Sequence, residues 1–232
     1  MAREFTKNLF VMLVAIMIGV FIITYFVADI INRSKIETLN IEHDVEIQDL
    51  NSRNENFTNY FLQGSISMDS AREVREVGNY HFDFALFWYN TALINISTSL
   101  LQRCIDNCTS AMGDYMDDYI SSYGKFGESK PYFEKALGYT NNTKYREALG
   151  YYINFSIAGQ KITLLRYNAS DYLRRAAENL SLGDIGNMKN FTLLMENFTL
   201  TGDLYMQGLQ WYNDLKNQID TYLFFDPIRE QH

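Results

Sequence analysis

Two cysteines, three histidines and one tight group of aspartates are the side chains here most able to do chemistry. Cys104 and Cys108 are the only cysteines. An even thiol count suggests a disulfide in an oxidising compartment. The four-residue spacing would strain an uninterrupted helix, so a bridge fits best at a helix end. A metal pair and free or intermolecular thiols are the rival uses, and neither His43 nor His81 is close in sequence. Asp114, Asp117 and Asp118 stand at i, i+3 and i+4, where helical carboxylates share a face and could hold Ca²⁺. They lack the glycine turn of a calcium-binding loop, so a solvated acidic face is the expectation and no metal is assigned. His81 lies between Tyr80 and Phe82, His43 sits in a charged stretch, and His232 is the last residue. No glycine-rich phosphate loop, His-Glu-x-x-His or Gly-x-Ser-x-Gly occurs. A catalytic centre needs a nucleophile, base or metal among oriented partners. None stands out, so a non-catalytic protein without a cofactor is expected. The 35 aromatic residues invite a carbohydrate- or amine-binding site, but most fall at helical core spacing.

One modification signal is dense. Nine Asn-x-Ser/Thr acceptor sites occur, at Asn56, Asn95, Asn107, Asn141, Asn154, Asn168, Asn179, Asn190 and Asn197. With 21 asparagines and 28 serines plus threonines in 232 residues, chance alone gives roughly 2.5 sites of this pattern. All nine follow residues 8–28, a run of 21 residues without a charge. At 1.5 Å per residue that run covers the ~30 Å hydrocarbon core of a bilayer. It exceeds the apolar core of a secretory signal, and no small-x-small cleavage site follows it. Arg3 and Lys7 before the run are balanced by Arg33 and Lys35 after it, so flanking charge alone does not orient it. The acceptor sites do. The expectation is a single-pass signal anchor with residues 1–7 cytoplasmic and the carboxy-terminal domain extracytoplasmic. Ala15 and Gly19 form a small-xxx-small pair that could seat a second helix.

Composition narrows the class further. A formal net charge of −8 leaves no basic footprint for nucleic acid. A hydrophobic content of 47% is too high for a disordered chain. Only Pro131 and Pro227 interrupt what can be helix. An all-α protein is expected: the transmembrane helix, a helical stalk over 29–65, and a helical bundle or irregular helical-hairpin ectodomain over 66–232.

Within the ectodomain, Gly64 is expected to end the stalk. A helix capped near Asp69 or Ser70 then runs toward Cys104, with the aromatic stretch 80–93 in the core. Gly124, Gly127 and Pro131 mark a connection between a segment over 110–123 and a helix ending near Tyr139. The longest element spans 143–182. There Ala148, Phe155, Ile162, Ala169 and Ala176 recur every seven residues, flanked by Tyr152, Gly159, Leu173 and Leu180. Arg166 interrupts that second row. Such a wide apolar face packs in a bundle. Asn154, Asn168 and Asn179 lie 14 and 11 residues apart, close to whole helical turns, so they share one flank. Further helices are expected over 184–199 and from Gly202-Asp203 to Phe225.

Three stretches carry a family resemblance: Ala85-Leu86-x-x-Tyr89-x-x-Ala92-Leu93, Gly124-x-Phe126-x-x-Ser129-x-x-x-Phe133-Glu134-Lys135-Ala136-Leu137, and Tyr145-x-x-Ala148-Leu149-x-x-Tyr152. Each resembles the second helix of a tetratricopeptide repeat, which implies stacked helical hairpins that bind other proteins. The matching small residues Ala85, Ser129 and Ala148 are 44 and 19 apart, an irregular period for such an array.

The expected function is a membrane-anchored, glycosylated interaction or scaffold protein, with the membrane and another surface protein as partners. The alternative is a ligand-sensing or solute-binding ectodomain acting with a partner. Residues 120–140 carry no acceptor site and hold Phe126, Tyr132 and Phe133. These rings are the candidate partner-binding residues, unless they pack inside the bundle.

Overall fold

A computed structural model describes residues 2–181 and 185–222. The side chains of 2–16, 18, 22, 114, 181 and 185–187 lie outside the description. Four α-helices make up the described chain: α1 (Ala2–Ile94), α2 (Leu101–Tyr139), α3 (Thr143–Ser181) and α4 (Ile185–Ile219). No strand occurs among the described residues. Two compact units divide within α1, Met1–Arg53 and Asn54–His232. In the first, the described side chains are nearly all exposed, with an Asp29–Arg33 ion pair one turn apart at 3.0 Å.

The second unit is an up-down-up-down four-helix bundle. Cross-helix contacts fix its topology. Phe133 of α2 sits over Gly64 of α1, and Tyr119 over Gly78, so α1 and α2 run antiparallel. Ser129 meets Ser156 and Phe126 meets Gly159, which makes α2 and α3 antiparallel too. Phe155 stacks on Tyr212 at 4.2 Å between α3 and α4. Phe82 and Tyr89 of α1 meet Phe198 and Met195 of α4, which closes the ring. Short connections suit this arrangement.

The sequence period explains why these helices bundle. In α1 the buried positions 57, 61, 64, 68, 71, 75, 78, 82, 85, 89 and 92 alternate by three and four, with Ser65 buried beside them. In α4 the buried residues 194, 201, 205, 208, 212, 215 and 219 keep the same spacing around a half-buried Phe198. This 3.5-residue repeat holds one seam inward along long helices that supercoil. The α3 row Ala148, Phe155, Ile162, Ala169 and Ala176 is buried throughout. The inner faces of α2 and α3 carry small hydroxyl residues, of which Ser122 donates to the Ala71 carbonyl of α1 at 2.8 Å. Ser122, Ser129, Ser156, Thr163 and Ser170 are all buried, and Ser129 and Ser156 share a 2.7 Å hydrogen bond.

Helix ends are set locally. The Asn142 carboxamide oxygen accepts the amides of Lys144 (3.0 Å) and Tyr145 (3.4 Å), which caps α3. Arg146 donates back to the carbonyls of Leu137 and Thr140, closing the end of α2.

Several expected boundaries move. Gly64 lies inside α1, and Phe57 and Phe61, expected in the stalk, are bundle core. The bundle therefore begins at Asn54. Gly124, Gly127 and Pro131 lie inside α2, and Gly202 inside α4. At Gly64 and Gly159 the glycine serves packing. A β-carbon would stand 2.7 Å from Phe133 Cε1 and 2.5 Å from Phe126 Cε1 respectively, so each site admits a ring from the next helix. The tetratricopeptide-like stretches supply seam positions of three different long helices. Phe225 and Pro227 lie outside the described residues.

Candidate functional site

The residues singled out by type are placed as follows. Cys104 and Cys108 are free and buried within α2, so the expected bridge is not formed. Helical neighbours four apart hold their β-carbons about 5–6 Å apart, whereas a disulfide needs about 3.5–4.5 Å. A helix end does lie close by, since α2 begins at Leu101, but both cysteines fall inside the helix and both thiols serve the core. Burial pushes the Cys108 thiol up to about 12, which removes the reactive thiolate at neutral pH. Iodoacetamide is therefore expected to leave Cys108 unmodified in the folded protein and to alkylate it only after denaturation. Rapid labelling of the native protein would contradict this placement.

Asp117 is exposed and Asp118 half-buried, while the side chain of Asp114 lies outside the described residues. Among the described residues no group of three or more His, Cys, Asp or Glu could hold a metal ion. His81 stacks flat on Tyr115, with centroids 3.2 Å apart. His43 is exposed, and His232 is outside the described residues.

The expected partner-binding rings are corrected. Phe126 and Phe133 are wholly buried, because positions 126 and 133 fall on the α2 seam and their rings fill the space opposite Gly159 and Gly64. Tyr132, one residue off the seam, is half-buried. The aromatic stretch of α1, expected in the core, divides: Phe82, Ala85 and Tyr89 are buried, while its other side faces outward. Val77, Tyr80, Phe84, Phe87 and Ile94 are between 47% and 83% exposed. They are spaced 3-4-3-7, so they form a second heptad stripe on the side of α1 opposite its seam. Trp88 flanks it, edge-on to both Phe84 and Phe87.

All nine acceptor asparagines are described, and none is buried. Asn141, Asn154 and Asn190 are exposed and the other six half-buried. Within the stripe there is no acceptor site. Asn95 follows its end, and Asn107 borders Phe84 and Trp88 in a shallow cleft.

A second feature lies in the middle of the bundle. The apolar core forms two main clusters. One is built around Phe61, Phe126, Phe133, Tyr152, Phe155 and Ile162, the other around Phe82, Tyr89, Met112, Tyr119 and Leu173. Between them two seam positions carry arginine. Arg75 of α1 is 7% exposed, with its guanidinium 4.6 Å from the centre of the Tyr212 ring. Arg166 of α3 is half-buried and sandwiched between the rings of Phe82 (4.1 Å) and Tyr205 (4.2 Å). Its Nε donates to Asn79 Oδ1 at 3.3 Å, and the Tyr119 hydroxyl donates to the same oxygen. Burial pushes Tyr119 above the usual tyrosine range, against the opposing pull of Arg166 and Arg75. Burial likewise raises Tyr212, with Arg75 and Arg72 opposing it.

No protein family, characterised protein or solved structure matches the chain. Sequence reasoning met Arg166 as a break in the apolar row but missed Arg75, whose signal is a cation on an otherwise apolar 3-4 seam. It missed the outer stripe because aromatic density was read without its helical phase.

Among the described residues no helix is long and apolar enough to cross a membrane. Much of the 8–28 run falls on side chains outside the description.

Proposed function

We propose that the protein is a membrane-anchored, N-glycosylated extracytoplasmic interaction module. Its four-helix bundle presents the outer stripe of α1 to a helix of a partner protein. The stripe is the observation that carries this reading. A surface helix is normally polar away from its core. Here the side opposite the seam repeats apolar residues at the 3.5-residue spacing by which helices pack on one another. The two faces share one period, so α1 is equipped for helices on both sides.

The anchor is residues 8–28. It is supported by that uncharged run and by the exposed apolar side chains on α1 between Met17 and Val27, which suit a lipid environment. Glycosylation is supported by nine acceptor sites, none with a buried asparagine. The chain supplies the binding surface and leaves any chemistry to its partner.

Site-specific photo-crosslinking in the native membrane tests the reading. A photoreactive phenylalanine analogue at Phe87 is expected to give a discrete protein adduct. The same group at Ile120, exposed on α2, is expected to give none. Phe84→Glu together with Tyr80→Glu should abolish the Phe87 adduct while leaving helicity unchanged. An adduct that survives those substitutions, or equal adducts from both positions, would refute the stripe as the docking surface.

A further inference from the structure

We propose that the arginine layer between the two apolar clusters binds a small oxyanion, a carboxylate or phosphate group, on Arg75 and Arg166. Arginine stays protonated in proteins and offers only donors. Arg75 is more than nine-tenths buried, yet its Nε and Nη1 make no hydrogen bond. Among the described residues neither arginine is in a salt bridge. A buried charge is retained where it is paired, and this layer holds two cations from diagonally opposite helices.

The surroundings define what would pair them. The Tyr212, Phe82 and Tyr205 rings hold the guanidinium groups by their faces. Such stacking leaves the N–H edges free to bond in the guanidinium plane. Asn79 Oδ1 already takes Arg166 Nε and the Tyr119 hydroxyl, and the neutral Tyr212 hydroxyl, itself unpartnered, brings no negative charge. Arg75 stands one helical turn before Asn79 on the same face of α1, and Arg166 bonds to Asn79, so both charges border one region. Asp83, which acts on Tyr119, is exposed on the surface of α1. The layer is thus rich in donors and poor in acceptors. A carboxylate or phosphate oxygen brings both lone pairs and negative charge, the match guanidinium makes best. The apolar clusters on either side exclude water and strengthen that attraction. Arg166 is half-buried, so the layer can be reached from solvent.

The full chain in mild detergent provides the test. Thermal unfolding and titration calorimetry would be run with sodium acetate and with sodium phosphate, against sodium chloride at equal ionic strength. The expected result is a saturable rise in midpoint, with binding heat, for at least one oxyanion beyond the chloride control. Arg75→Met and Arg166→Met should each weaken the response at least tenfold while the helical signal is kept. Where a methionine variant fails to fold, Arg75→Lys keeps the charge and should still weaken the response by changing the donor geometry. A response to acetate alone identifies a carboxylate ligand, and one to phosphate alone a phosphorylated one. Absence of a saturable response to both oxyanions in the unmodified protein overturns the proposal. So does an equal response in the protein and its variants.

Discussion

Replacing Phe133 with alanine is expected to lower the stability of the bundle by about 3–5 kcal/mol, the usual cost of deleting a buried ring. The ring is wholly buried, tilts against Phe61 at 5.9 Å and Tyr152 at 5.0 Å, and occupies the space left by Gly64. Three helices therefore lose packing at once, and the glycine opposite has no side chain with which to fill the gap. For a chain of this size the loss corresponds to a fall of roughly 6–20 °C in the melting midpoint. Tyr132→Ala, one position off the seam, should change stability by less than about 1 kcal/mol, as off-core substitutions usually do. Circular dichroism of the two variants measures the contrast. If Phe133→Ala melts with the parent while losing a binding partner, the ring is a surface group and the register of the bundle is wrong.

Alkaline pH is expected to have the next largest effect. Burial holds Cys108 protonated up to about 12, against an ordinary value of 9.0. It likewise holds Tyr89 to about 12 against 10.0, with Cys108 adding to the shift. Both groups are neutral when protonated, so the folded state favours the proton. Their contribution is fully present below pH 9 and is lost as pH rises, because the unfolded chain ionises first. Above pH 9 the unfolded state binds fewer protons, and stability should fall by about 1.4 kcal/mol per pH unit for the cysteine. Tyr89 steepens the fall above pH 10. Denaturant midpoints measured from pH 8 to 11 would show the slope. Cys108→Ala should flatten it between pH 9 and 10. A midpoint independent of pH over that interval would mean that the thiol is not buried as described.

How much of this could be read from sequence depended on whether a signal was local. The seven-residue row of α3 was legible because each member, from Ala148 to Ala176, declares its phase within its own helix. The glycines were misread for the opposite reason. Gly64, Gly127 and Gly202 look like breaks to a reader moving along the chain, since glycine lowers helix propensity. At Gly64 the absent side chain answers to Phe133, which is distant in sequence and adjacent only after folding. Aromatic density alone places the whole stretch 80–93 in the core. The seam in that stretch runs instead through Phe82, Ala85 and Tyr89, so a shift in phase separates buried rings from exposed ones. Arg166 stood out in its apolar row, but its counterpart Arg75 lies on another helix, and a polar layer becomes visible only when two seams are laid side by side.

The buried hydroxyls of α3 carry a consequence for timing. Ser156 and Ser170 are also the third residues of the acceptor sites at Asn154 and Asn168, and the transferring enzyme must reach them. Ser156 is wholly enclosed and bonded to Ser129, and Ser170 is almost as deep. In a glycosylated chain these two sites are open only before α3 settles into the bundle. The corresponding Thr192 and Thr199 on α4 are exposed, so Asn190 and Asn197 have no such deadline. A sugar at Asn154 would then be a timestamp from the nascent chain, and the ratio of occupancy between α3 and α4 would record how quickly the bundle closes behind the translocating polypeptide.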